Sequence, residues 1–124
     1  MSPHSNTRLQ SFRYAFRGIG SLIRTETNAR IHLIATFAVV ALGLLLEISR
    51  VEWLAITLAI TAVWSSEAFN SAIESVCDAI SSEHRPMIER AKDIAAAAVL
   101  LAAIGSALVG LIVFGPALLK LIRP

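Results

Sequence analysis

Cysteine is almost missing from this chain. Cys77 is the only one, which excludes an intrachain disulfide and a cysteine-based metal site. It reads as a small apolar filler on a helix. Histidine is scarce as well, and His4, His32 and His84 are too scattered for a zinc site. There is no glycine–lysine phosphate loop, no G-x-S-x-G elbow and no H-E-x-x-H pair, so three common enzyme classes drop out. Charge is sparse at 16%, and residues 53–66 carry none. What is abundant is apolar surface. Hydrophobic residues make up 56% of the chain and mean hydropathy is +0.68, against roughly 45–50% apolar residues in a soluble domain. With 124 residues the chain is one domain, 1–124, of the integral-membrane class. Its formal charge of +2 is unremarkable, and no nucleic-acid partner is expected.

Residues 1–6 read as a disordered tail. Over 7–25 the apolar residues Leu9, Phe12, Phe16, Ile19 and Ile23 recur at alternating spacings of three and four, a narrow stripe on one helical face. Arg8, Arg13, Arg17 and Arg24 lie mostly off it. That is the pattern of a basic amphipathic helix lying in a membrane interface, although a helix packed on the protein's own bundle would show the same stripe. It is not the pattern of a cleaved signal peptide, because the basic region is long and no small-residue cleavage site follows. Three membrane spans are expected, at about 31–48, 53–80 and 92–114. The first is slightly short, and Arg30 can snorkel to make up the difference. A turn over 47–52 leads to the second, and a polar loop, 81–90, to the third. Pro86 suits the first turn of a helix, whereas Gly115-Pro116 is expected to break the third span near its end. The alanine run 95–98, with Ala102 and Ala103, offers a small-residue face for close helix contact. The expected fold class is an all-α membrane protein, a surface helix plus three transmembrane helices.

Glu67, Asn70, Glu74 and Asp78 follow one another at spacings of three, four and four. At about 3.6 residues per turn they share one helical face, with Ser71 beside them. Each carboxylate at mid-membrane costs roughly 2.5–3.5 kcal/mol on insertion scales. Something must compensate that cost, and a divalent cation or a polar substrate would do so. Counting ~20 residues of span from Trp53 puts Glu67 inside the far leaflet, Glu74 near the interface and Asp78 beyond it. Arg8, Arg13, Arg17, Arg24, Arg30, Arg85, Arg90 and Lys92 lie on that side, eight basic residues against three (Arg50, Lys120, Arg123) on the other. The positive-inside rule therefore puts the amino terminus and the acidic row in the cytoplasm, and the carboxyl terminus outside.

Several chemistries fit an acidic face at the membrane. In metal-assisted phosphoryl transfer, Glu26 and Glu74 would share one Mg2+ through hard oxygen ligands and substrate phosphates, if the helices pack. Lys92-Asp93 would supply a cation for phosphate and a second carboxylate. Glu67, deepest in apolar surroundings, would be a strong proton acceptor, suited to act as general base on a lipid hydroxyl. Proton or cation transport would instead use Glu67 and Glu74 as relay sites. A carboxylate-bridged dimetal centre wants Glu-x-x-His repeats, which are absent. The plainest alternative is polar residues that only hold helices together.

The segment Glu67-Ala-Phe-Asn70-Ser-Ala-Ile-Glu74, then Asp78, Glu83-His84 and Arg90-Ala-Lys92-Asp93, resembles the small prokaryotic lipid kinases, the diacylglycerol kinase and undecaprenol kinase family. The likeness runs from Phe12 to about Val113. It implies a homotrimer in the bacterial cytoplasmic (inner) membrane, with composite active sites near the cytoplasmic interface, moving the γ-phosphoryl group of ATP to a lipid hydroxyl with Mg2+. It implies Glu67 as the catalytic base and Glu26 and Glu74 as metal ligands. Tyr14, Glu26, Glu74, Glu83, His84, Arg85, Lys92 and Asp93 would contact the nucleotide. Asn70 and Arg30 would stand with Glu67 at the lipid. Diacylglycerol, giving phosphatidic acid, is the first acceptor implied. Undecaprenol is the alternative, because Asn28-Ala-Arg30-Ile-His32 and Pro86 look like that branch, and the enteric type has a carboxylate where His32 stands. His32 itself reads as a polar residue near a helix end. A carboxylate-based transporter remains the distant alternative.

Overall fold

Each helix leaves unpaired N–H groups at its start and unpaired C=O groups at its end, and the chain's polar residues meet that demand at a few positions. The computed structural model describes residues 7–123. The expected tail, 1–6, lies outside the described residues. Four helices follow in order: α1 (Arg8–Thr25), α2 (Thr27–Leu45), α3 (Arg50–Ile80) and α4 (Pro86–Ile122). No strand occurs among the described residues.

Thr7 and Gln10 form a reciprocal capping box at the start of α1. Glu26 then adopts an extended backbone (φ −103°, ψ 120°) and serves at once as the C-cap of α1 and the N-cap of α2. The chain turns there within one residue, so α2 starts at Thr27 rather than at 31. Arg30 closes the corner. Its guanidinium donates to the carbonyls of Ile23 at 3.1 Å and Arg24 at 2.6 Å, satisfying the end of α1.

The expected end of the first span at 48 is also corrected. Ile48 N–H bonds the Gly43 carbonyl at 3.2 Å and Glu47 N–H the Leu44 carbonyl at 3.4 Å, the two bonds of a Schellman ending. Glu47 sits in the left-handed region at φ 50°, a place usually given to glycine. The turn is shorter than 47–52, because Ser49 and Glu52 form a capping box that starts α3 at Arg50.

The last helix departs furthest from expectation. It starts at Pro86, as that residue's fitness for a first turn suggests, but continues past the expected end at 114, through Gly115-Pro116, to Ile122. Pro116 cannot donate to the Ile112 carbonyl. Even so, Val113 and Phe114, just before it, are buried against Ile56 of α3, and this packing holds the helix through the proline.

α3 and α4 form an antiparallel hairpin. Ile56 meets Val113 and Phe114 at one end, the Ser106 hydroxyl donates to the Ala59 carbonyl at 3.1 Å in the middle, and Lys92 reaches Asp78 at the other end. α2 lies antiparallel on α3. The Trp64 indole N–H donates to Thr36 Oγ1 at 3.0 Å. Gly43 lets Trp53 approach so closely that an added Cβ would stand 2.7 Å from the indole ring. α1 touches both at the Glu26 corner through buried Leu22.

Two helices, α2 and α4, are long and apolar enough to cross a bilayer, yet only 11% of each apolar window is buried. Much of that surface faces outward, with Phe37 of α2 and Leu101 and Leu111 of α4 exposed, as is Leu58 of α3. An exterior of this kind belongs against lipid or other helices, not water, and the chain is a helical membrane protein. At about 1.5 Å per residue, α3 and α4 both exceed a hydrocarbon thickness of about 30 Å. Each is longer than a single crossing needs, and the acidic row stands in the C-terminal half of α3.

Candidate active site

The acidic row of α3 passes from buried to exposed as its spacing requires. Glu67 is 2% exposed, the one buried charged residue among those described. Asn70 and Glu74 are half-buried and Asp78 is exposed. Glu67 Oε2 and Asn70 Oδ1, one turn apart, are buried without a hydrogen-bond partner. Such atoms are costly unless something else completes them. The neighbour facing Glu67 from α2 is His32, with Nε2 3.7 Å from Oε2.

Glu26 enters from the α1–α2 corner and accepts a hydrogen bond at Oε1 from the Ser71 hydroxyl at 3.2 Å. Ser71 is one turn before Glu74, so the corner carboxylate is tied to the same stretch of α3. A cavity of about 530 Å³ opens there between α1 and α3, walled by Gly18, Leu22, Glu26, Ser71 and Ser75. Among the described residues no three His, Cys, Asp or Glu side chains come close enough to hold an ion unaided. Glu74 does not line that cavity, and two hard carboxylates would suit an ion that completes its shell with water and phosphate oxygens, as Mg2+ does.

A second cavity of about 330 Å³ lies beside the α3–α4 loop. Asp78, Glu83, His84, Arg85, Lys92 and Asp93 all line it, so five of the sequence-predicted nucleotide residues share one space. Lys92 Nζ lies 2.6 Å from Asp78 Oδ1. His84 pairs with Glu89 at 3.2 Å, and Arg85 approaches Glu83 at 4.0 Å. No side chain caps the N-terminus of α4; Pro86 there carries no N–H, and the N–H groups of Ile88 and Glu89 both bond the Arg85 carbonyl at 3.0 Å. Tyr14 is not part of this space. It is exposed on α1, with the Arg17 guanidinium 5.7 Å from its ring centre.

Three features lay outside the sequence-predicted site: His32 facing Glu67, the Asp78 partner of Lys92, and the corner role of Arg30. Only the second left a sequence signal, since a short loop between two helices brings their facing ends together.

The prokaryotic diacylglycerol kinase profile matches residues 13–114. The chain belongs to the prokaryotic diacylglycerol kinase family. Its relatives carry two acceptor names. The undecaprenol kinase of Bacillus subtilis is 42% identical over 113 residues, covering 91% of this chain and 92% of that protein. The diacylglycerol kinase of Synechocystis is 38% identical over 114 residues, covering 91% of this chain and 65% of the relative. The diacylglycerol kinase of Escherichia coli K12 is 32% identical over 91 residues, covering 73% and 75%. As a member of this family the chain is a membrane lipid kinase, a phosphotransferase.

Proposed function

We propose that the protein transfers the γ-phosphoryl group of ATP to the hydroxyl of a membrane lipid on the cytoplasmic side of a bacterial inner membrane, with α2, α3 and α4 all spanning. The supporting observation is Glu67, a buried carboxylate whose Oε2 has no hydrogen-bond partner. It stands about one turn below Ser71, which faces the α1–α3 cavity, and about three turns below Asp78, which faces the loop cavity. A lipid hydroxyl reaches this depth from the membrane, and ATP reaches the loop cavity from water.

In the proposed step, Glu67 Oε2 takes the hydroxyl proton as the lipid oxygen attacks the γ-phosphorus and ADP leaves. Asn70 Oδ1 would accept a second hydrogen bond from the lipid headgroup beside it, with Arg30 nearby at the corner. Lys92 follows the β- and γ-phosphates, and Asp78 holds its ammonium in place meanwhile. Glu83, His84, Arg85 and Asp93 line the nucleotide space, and Tyr14 would join from α1. Glu26 and Glu74 would hold Mg2+, which when bound neutralises charge on the transferring phosphate.

For the acceptor, diacylglycerol, yielding phosphatidic acid, is the first reading, and the family description supports it. Undecaprenol is a second, favoured by the nearly end-to-end likeness to the Bacillus subtilis undecaprenol kinase. Purified protein offered both alcohols side by side with labelled ATP separates them. Preferential labelling of one names the acceptor, and labelling of neither sinks the proposed function.

A further inference from the structure

We propose that His32 is the positive partner of Glu67 during turnover, a positioning residue whose imidazolium keeps the carboxylate charged and aimed at the lipid hydroxyl. This rests on Glu67 being the proton acceptor. A carboxylate that is 2% exposed needs a counter-charge to stay ionised. His32 Nε2 is 3.7 Å from its unpartnered Oε2, an ion-pair distance rather than a hydrogen bond.

The other charged groups around the pair are engaged or of the wrong sign. From the α1 corner, Arg30 is committed to the Ile23 and Arg24 carbonyls and Glu26 to Ser71. On α2, nothing titrates after His32 within the helix. On α3, the next groups are neutral Asn70 and acidic Glu74. On α4, Lys92 is held by Asp78, and after Asp93 no charge occurs before Lys120. His32 is thus the one group within 4 Å of Glu67, among the described residues, that can turn cationic.

Its placement is fixed from the next turn. The Thr36 hydroxyl donates to the His32 carbonyl at 2.7 Å and accepts from the Trp64 indole at 3.0 Å, which sets the register of α2 on α3 where the pair meets. The imidazole also lines a cavity of about 250 Å³ between α2, α3 and α4, so it is not sealed in as filler. Histidine titrates nearest neutrality of all side chains. In the step, the lipid O–H bond breaks, its proton goes to Glu67 Oε2, its oxygen bonds phosphorus, and the bond to ADP breaks. The proton leaves the pair to water with the product.

The test compares His32→Gln, His32→Lys and Glu67→Gln in the full-length protein with lipid and Mg-ATP. His32→Gln should lower kcat about ten-fold or more, with the KM for ATP unchanged. His32→Lys should recover most of that loss. It should also hold kcat flat at alkaline pH where the wild type declines, because lysine keeps its proton to about pH 10. Wild-type turnover in His32→Gln, or a glutamine variant at least as active as the lysine variant, overturns the proposal. Near-wild-type turnover in Glu67→Gln is a separate failure, that of the base assignment. Nitrogen NMR of the His32 imidazole gives a readout without any His32 variant. At the pH of turnover both ring nitrogens of the wild type should carry a proton, and a neutral ring there overturns the proposal.

Discussion

Lys92 and Asp78 are bound at 2.6 Å across the α3–α4 loop, and the exposure of both makes that pair worth little to folding. The value of the lysine lies in the mobile charge it offers a phosphate. Lys92→Met should insert normally, since seven other basic residues remain on its side, yet lower ATP-dependent lipid phosphorylation by roughly 10²–10³-fold. A correctly inserted variant with near-normal turnover and ATP affinity would show that the residue serves topology alone. The Ser71 bond ties Glu26 to the stretch of α3 that carries Glu74. Glu26→Ala and Glu74→Ala should each raise the Mg2+ concentration needed for half-maximal rate more than they change the KM for lipid. Unchanged Mg2+ titrations in both would move the metal elsewhere. The row on α3 was legible in the sequence because a helical period is local. His32 opposite Glu67 was not, because the two lie on different helices and nothing near either residue encodes the approach.

At the scale of elements, the α2–α3 corner departs from the expected pattern and carries its own test. Glu47 holds a left-handed backbone at φ 50°, which costs a residue with a side chain about 1–2 kcal/mol. Glu47→Gly should therefore stabilise the folded protein by about 1 kcal/mol, read as a higher denaturation midpoint in detergent. A lower midpoint would mean that the Glu47 side chain makes a contact worth more than the strain. Gly43→Val should act the other way, because Trp53 lies where the new side chain must go. No glycine marks this Schellman ending, so it was not legible in the sequence. Nor was the true end of α4, since the Gly115-Pro116 signal is local while Val113 and Phe114 are held by Ile56 from another helix. The helix count and the loop between α3 and α4 were legible, as both follow from long apolar runs and short polar interruptions.

At the scale of the whole molecule, one protomer leaves most of its apolar surface outward and the α3 row only partly enclosed. Small residues on α4, such as exposed Ala96 and Ala97, permit close approach of another helix. The protein is expected to be an obligate homo-oligomer, a trimer by family resemblance. Mass measurement in mild detergent checks this, and a fully active monodisperse monomer contradicts it. The proposed step needs only one protomer's Glu67 to take the proton of a lipid hydroxyl as that oxygen takes phosphate from ATP. The measurement that meets it most directly is transfer of labelled γ-phosphate onto lipid by purified wild-type protein and by Glu67→Gln, at equal ATP occupancy. The wild type should label the lipid and the glutamine variant should do so ~10²–10⁴-fold more slowly while still binding ATP. Unlabelled lipid with the wild type, or a Glu67→Gln rate within a few-fold of it, would contradict the account.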